Sequence, residues 1–252
     1  VDRRLWRTKY GSFPLLPCPR CRNGHLRSYA KHFYRLQPQH VSTALSHLEM
    51  GGVSEGRFTC FLICDFRFCG EVVAVSGDYT SREEDIFNPE TEEYDTYDDK
   101  TVVPRAMVPA PPIITWPEKL EAVPRQHLIQ AFELFWMNRG ACANRLRIFI
   151  ETLLDQLAVA REGRKRNGKS GDLDLAERID LLNETQSGHK IALDALRYVG
   201  NFGSHEGGAD FDDLLDCFEL IEHTLIELLD ERSAKLQAKA KAIVSRKGKP
   251  KG

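Results

Sequence analysis

Four cysteines set in two short hooks constrain this chain more than any other feature. Cys18-Pro-Arg-Cys21 is the first hook, and Cys64-Asp-Phe-Arg-Phe-Cys69-Gly is the second, with a wider gap between its thiols. Drawn together, Cys18, Cys21, Cys64 and Cys69 supply the four thiolates of a tetrahedral Zn²⁺ site. Such a closed site has no open position, so it stabilises a fold rather than performing chemistry. The alternative is four buried free thiols. Arg57–Ile63 runs into the second hook with strand character and Glu71–Val75 leaves it the same way, the hairpin-and-knuckle layout of a zinc ribbon. Cys60, at strand spacing from Cys64, reads as a core thiol that could compete as a ligand. His25, His32, His40 and His47 lie between the hooks at no ligand spacing and read as the solvated face of one short helix. Seven cysteines is an odd number, which together with the hooks favours metal binding in a reducing cytoplasm over a secreted disulfide framework.

Charge divides the rest of the chain. Lys and Arg total 35 against 37 Asp and Glu, so no global field marks a nucleic-acid partner. Ser81 to Lys100 holds nine acidic and two basic residues and reads as a solvated, mobile loop. Five prolines between Pro104 and Pro117 predict an extended strap anchored by Trp116. Beyond Glu231 every charged residue is basic. The polar N-terminus does not open a signal peptide, and no apolar run approaches the ~20 residues that span a bilayer. The expectation is a soluble cytoplasmic protein without membrane partners. Its predicted parts are a zinc-ribbon domain with an inserted helical or loop segment over 1–80, an acidic loop and strap over 81–122, a helical bundle over 123–232, and a frayed basic tail over 233–252.

Helical periodicity fills the third part. Leu128, Phe132, Phe135 and Trp136 make one apolar stripe between Pro124 and a stop at Gly140. A second helix is predicted over 141–160, a third over 173–183, and a fourth over 189–199. A last one starts at Phe211 behind an Asp210 cap. Five helices with short joints give an antiparallel bundle, and the whole chain reads as α+β. The basic loop Arg164, Lys165, Arg166 and Lys169 could touch phosphates electrostatically, or be solvated surface. No P-loop, dinucleotide fingerprint or nucleophile elbow is present, which disfavours the common enzyme classes.

Between the last two helices stands Arg197-Tyr-Val-Gly-Asn-Phe-Gly-Ser-His205. Arg197, Asn201 and His205 recur every fourth residue and would share one polar helix face. A fixed cation, an amide and a titratable base are the means to bind or cleave a phosphodiester. Gly200 and Gly203 argue equally for a turn in which those side chains satisfy freed backbone groups.

Several stretches carry a more specific likeness. They are Cys-Pro-Arg-Cys, Glu-Gly-Arg-Phe ahead of Cys-x₄-Cys-Gly-Glu-Val-Val-Ala-Val-Ser-Gly, Phe-Trp with Ala-Cys-Ala-Asn-Arg-Leu-Arg, and Leu-Arg-Tyr-Val-Gly-Asn-Phe-Gly-Ser-His. In these the chain resembles bacterial domain-of-unknown-function family 4145, grouped with the HEPN helical bundles. The resemblance implies a HEPN-like helical domain, often dimeric, in phage-defence and restriction settings. Active HEPN ribonucleases carry Arg, often followed by Asn, four to six residues before His, and pair two such motifs across a dimer. Here Gly200 precedes Asn201 where that Arg would stand, and seven residues separate Arg197 from His205. Three functions follow. One is a non-catalytic module binding nucleic acid or protein. Another is a metal-independent endoribonuclease using Arg197, Asn201 and His205. The third is an assembly subunit of a defence complex.

Overall fold

A computed structural model describes residues 1–46, 53–88, 90, 93–205 and 208–247. The chain is α+β and divides into two units. One comprises Asp2–Ile113 with Phe132–Asn138, and the other Val1, Ile114–Ala131 and Arg139–Gly252.

The first unit is an antiparallel sheet of β1 (Leu16–Pro17), β2 (His25–Leu36), β3 (Ser54–Cys64), β4 (Val72–Asn88) and β5 (Glu93–Val108) in that spatial order, with a short helix α1 (Gln39–Ser46) between β2 and β3. Strict alternation in β3 buries Phe58, Cys60, Leu62 and Cys64 on one face. Val73 and Val75 of β4 and Val102 and Met107 of β5 join them. The N-terminal segment curls this sheet. Tyr10 exchanges backbone hydrogen bonds with Val102 of β5 (2.9 and 2.8 Å), and a few residues later β1 pairs with β2. Residues 132–138 add Trp136, whose ring lies 6.3 Å from both Trp6 and Tyr10.

Two expectations are corrected here. The insert between the hooks is mainly strand, so His25 and His32 sit on β2 and only His40 on a helix, while His47 lies outside the described residues. The acidic stretch is the paired distal half of β4 and β5, in register from Ser81↔Lys100 to Asn88↔Glu93. Once the apolar half of the hairpin fixes register, each further pair adds ladder hydrogen bonds without needing a core. Tyr79, Thr80, Ile86, Phe87, Tyr94, Thr96, Tyr97 and Thr101 are the β-favouring residues that composition alone concealed.

The second unit is helical: α2 (Ala122–Met137, up to Ala131), α3 (Arg139–Gln156), α4 (Leu175–Thr185), α5 (Lys190–His205), α6 (Phe211–Asp230) and α7 (Arg232–Ser245). The segment ahead of α2 docks on α6, where the backbone N and Oγ1 of Thr115 donate to Glu222 (2.9 and 2.7 Å). Leu146, Phe149, Ile150, Leu153 and Leu154 of α3 are buried, as are Leu214, Phe218, Ile221 and Leu225 of α6. Asp174 and Glu177 form a reciprocal capping box on α4, and Asp210 caps α6 through the N–H groups of Asp212 and Asp213. The basic loop is a hairpin of β6 (Glu162–Arg164) and β7 (Ser170–Asp172). The tail expected to fray is helical through Ser245 yet buries no residue. Its Ala, Lys, Leu and Gln content favours helix without any packing partner.

Gly140 does not stop a helix, and Gly200 and Gly203 do not make a turn. A Cβ built on Gly200 would stand 2.7 Å from Arg147 Cβ and 3.1 Å from the Ala143 carbonyl. One on Gly203 would meet Ala143 Cβ at 2.7 Å and the Gly140 carbonyl at 3.0 Å. As numbers rise along α5 they fall along α3, so the two helices run antiparallel through a seam of Gly140, Ala143, Gly200 and Gly203. The glycines accept the helix-propensity cost because only hydrogen fits between the backbones.

Candidate metal centre and polar helix face

Cys18 and Cys21 follow β1, Cys64 ends β3, and Cys69 sits in the turn before β4. All four Sγ atoms lie within 4.8 Å of one another. Cys18 Sγ is 3.7 Å from Cys69 Sγ, and Cys21 Sγ is 3.7 Å from Cys64 Sγ. Disulfides would require about 2.05 Å. A tetrahedron of sulfurs around zinc with bonds of about 2.3 Å has edges of about 3.8 Å, so the donor set fits one four-coordinate ion. These four cysteines can hold a metal ion, and they form the one such group among the described residues.

Backbone geometry builds the clasp. The Cys69 N–H donates to the Phe66 carbonyl (2.8 Å), and the Gly24 N–H donates to Cys21 Sγ (3.4 Å). Asp65 ties the hooks together, accepting from the His25 N–H (2.8 Å) and from Arg27 Nε (3.0 Å). Burial pushes the Cys64 thiol up to about 12. Burial also acts to raise Cys21, but the N–H groups of Asn23 and Gly24 together with the Cys69 and Cys64 thiols outweigh it and bring that thiol down to about 7. A bound cation would reverse the burial penalty by stabilising thiolate.

Gly24 is the residue that spacing rules miss. Its added Cβ would sit 2.5 Å from Cys64 Sγ and 2.7 Å from Phe66 Cβ. Gly three residues after the first hook was the available signal, and the contact it serves lies forty residues away in sequence. Cys60 is buried outside the cluster, where burial drives its thiol to about 12. Cys142 and Cys217 are likewise buried free thiols.

The polar stripe lies on an unbroken α5. Arg197 and His205 therefore stand roughly 12 Å apart along the axis. Arg197 is only 17% exposed, its Nε donates to Asp194 (3.0 Å), and its guanidinium rests 4.1 Å from the centre of the Tyr198 ring. Asn201 is half-buried, and the side chain of His205 lies outside the described residues. Of the basic hairpin residues, Arg166 is engaged by Asp180 (2.5 Å), which also pairs with Lys190. Arg164 and Lys169 are exposed and Lys165 half-buried. The four therefore do not act as one uncompensated patch. Among the described residues no helix is long and apolar enough to cross a membrane.

The fold and its site define a two-part protein, a curled sheet clasped by four thiols and a helical unit closed by a glycine seam. Residues 130–246 match the family described as Domain of unknown function (DUF4145), and the helical region of the chain is similar to that family. Residues 8–105 match a second family, Domain of unknown function (DUF8608). No curated protein and no solved structure matches the chain.

Proposed function

We propose that this chain is a non-catalytic binding module of a bacterial defence or restriction-type system. A structural Zn²⁺ holds its sheet unit as a zinc ribbon, and its helical unit serves as a HEPN-like scaffold that engages nucleic acid or a protein partner. The observation that carries the reading is the thiol cluster. Four sulfurs within 4.8 Å of one another, two of the separations being 3.7 Å, would saturate a tetrahedral ion and leave no position for substrate or water. The engagement of Arg197 by Asp194 on a straight helix supports the same conclusion, because it removes the cation from a phosphate-cleaving set. Seven free thiols suit a reducing cytoplasm.

Pairing of two copies through the helical unit is part of this reading. Ile191, Tyr198 and Phe202 lie along one side of α5 at 87, 63 and 59% exposure. An apolar stripe of this kind marks an association surface.

The test is elemental analysis of purified protein, followed by incubation with single-stranded RNA in EDTA beside a His205→Ala variant. One zinc per chain and intact RNA are expected. Cleavage that disappears in the variant would replace the module with an endoribonuclease.

A further inference from the structure

One face of the sheet passes from buried apolar residues at the thiol end to exposed charge at the other. Cross-strand register puts Phe33 opposite Cys60 and Arg35 opposite Phe58, so Arg35 shares the inward face of β3. Tyr79 pairs with Val102 and Ser81 with Lys100, which brings Lys100 to that same face. At the thiol end this face is wholly apolar, with Leu26, Leu62 and Val73 buried. At the opposite end the face opens to solvent and carries two exposed cations, Arg35 and Lys100.

The chain opens a cavity there. In β2 the register slips between Ser28 and Phe33, so the residues between them bulge from the ladder. Tyr29, on that bulge, and Phe13, from the segment that curls the sheet, help bound a half-open groove of about 380 Å³. Phe33, Arg35, Tyr79 and Lys100 complete its working surface, and among the described residues no carboxylate lines it. The rings are held in place. Phe33 stacks flat on Phe58 at 5.3 Å, and Phe13 stands 6.2 Å from Phe58. The Arg35 guanidinium lies 5.6 Å from the centre of the Tyr79 ring and has no carboxylate partner among the described residues. Tyr29 stays 42% exposed.

We infer that this groove binds one unpaired nucleotide of a single nucleic-acid strand. Its base stacks against Tyr29 and Phe33, and its phosphate lies at Arg35. A planar group and an anion one sugar apart match rings and a cation on one wall, and stacking on rigid aromatics beside a basic groove is how single strands are held without sequence preference. The volume falls at the lower end of the roughly 300–1,000 Å³ typical of ligand sites, which is room for one base rather than several. The open side lets a strand continue in both directions. The inference rests on the reading of the chain as a binding module and names a site for it distinct from the thiol clasp.

The test is fluorescence anisotropy of labelled oligouridylate with zinc-loaded full-length protein at low salt. Tyr29→Ala and Arg35→Ala are compared with Tyr29→Phe and with a Lys235→Gln, Lys239→Gln, Lys241→Gln triple variant. Circular dichroism and metal content establish that each is folded. Tyr29→Ala should weaken binding by about 5-fold or more while Tyr29→Phe retains it. Arg35→Ala should weaken it comparably and reduce the slope of log K against log salt by about one. The triple variant should bind as the parent does, and duplex RNA should compete poorly. No binding by the parent, or equal binding by folded Tyr29→Ala and Arg35→Ala, overturns the site, as does loss of binding confined to the triple variant. Competition by free uridine monophosphate as effective as by the oligomer, or displacement by polyglutamate, overturns the single strand as occupant. Failure here without RNA cleavage leaves the module reading intact for a protein partner. Cleavage in EDTA removes the module reading itself.

Discussion

The thiol clasp and the glycine seam hold their units together by opposite means. In the sheet unit two pairs of side chains, far apart in sequence, converge on one point where an ion could sit. In the helical unit side chains are deleted so that α3 and α5 meet backbone to backbone. With a metal bound, the first arrangement would concentrate stability in a few bonds and be all-or-none in that ion. The second spreads it through dispersion contacts, each small, that fail gradually. Glycine takes part in both for the same reason: Gly24 makes room for a sulfur, as Gly200 and Gly203 make room for a helix.

Breaking the clasp should have the largest effect. Cys64→Ser should abolish stoichiometric metal and unfold the sheet unit, since structural zinc contributes on the order of 10 kcal/mol in small domains. Gly24→Ala keeps all four thiols but fills their approach, and should lose metal as well. Elemental analysis and thermal unfolding check both, and a Gly24→Ala protein with full zinc and unchanged melting would remove Gly24 from the site.

Next comes Arg178 of α4, buried against the C-terminal end of α3. It donates to the carbonyls of Glu151 (3.2 Å) and Val159 (3.1 Å) and to Asp155 (2.7 Å). Arg178→Ala strips these groups of their donor and should cost about 3 kcal/mol in denaturant unfolding, without change in metal content. The seam ranks third. Gly200→Ala and Gly203→Ala each gain about 0.5–1 kcal/mol in helix propensity. Overpacking against Arg147 or Ala143 costs about 1–3 kcal/mol, so the net should be destabilising, and more so for valine. A stabilised alanine variant would show that α3 and α5 can separate freely.

A smaller effect is pH-dependent. Hydrogen bonds from Arg161 and then Arg178 hold the Asp155 carboxyl below its ordinary range. Its contribution is complete above the unfolded value of about 3.9 and is lost as pH falls through the lower folded value. Unfolding followed from pH 5 downward should show stability decreasing, with a flatter decline in Asp155→Asn. Replacing Lys235, Lys239 and Lys241 on exposed α7 by Gln should alter stability by no more than about 0.5 kcal/mol in total.

The candidate metal centre was legible because its ligands are rare residues at short spacing, and tetrahedral coordination leaves few other uses for them. The helices were legible because apolar residues recurred at three and four, as Leu214, Phe218, Ile221 and Leu225 do in α6. Gly24 was hidden, since its reason is a sulfur contributed by the far hook. The acidic hairpin was hidden too, because ladder pairing uses backbone groups that every residue carries, and a run of carboxylates reads as solvated loop until a neighbouring strand fixes its register.

By itself, then, the sequence determined the four cysteines that cluster, the α+β class and the amphipathic helices, all of which depend on local spacing and side-chain chemistry. Only tertiary structure decided that Gly200 and Gly203 form a seam rather than a turn, and that Arg35 and Lys100 share one face. Each of these depends on which distant backbone comes within a few ångströms, and glycine or arginine carries no signature of the neighbour it will meet.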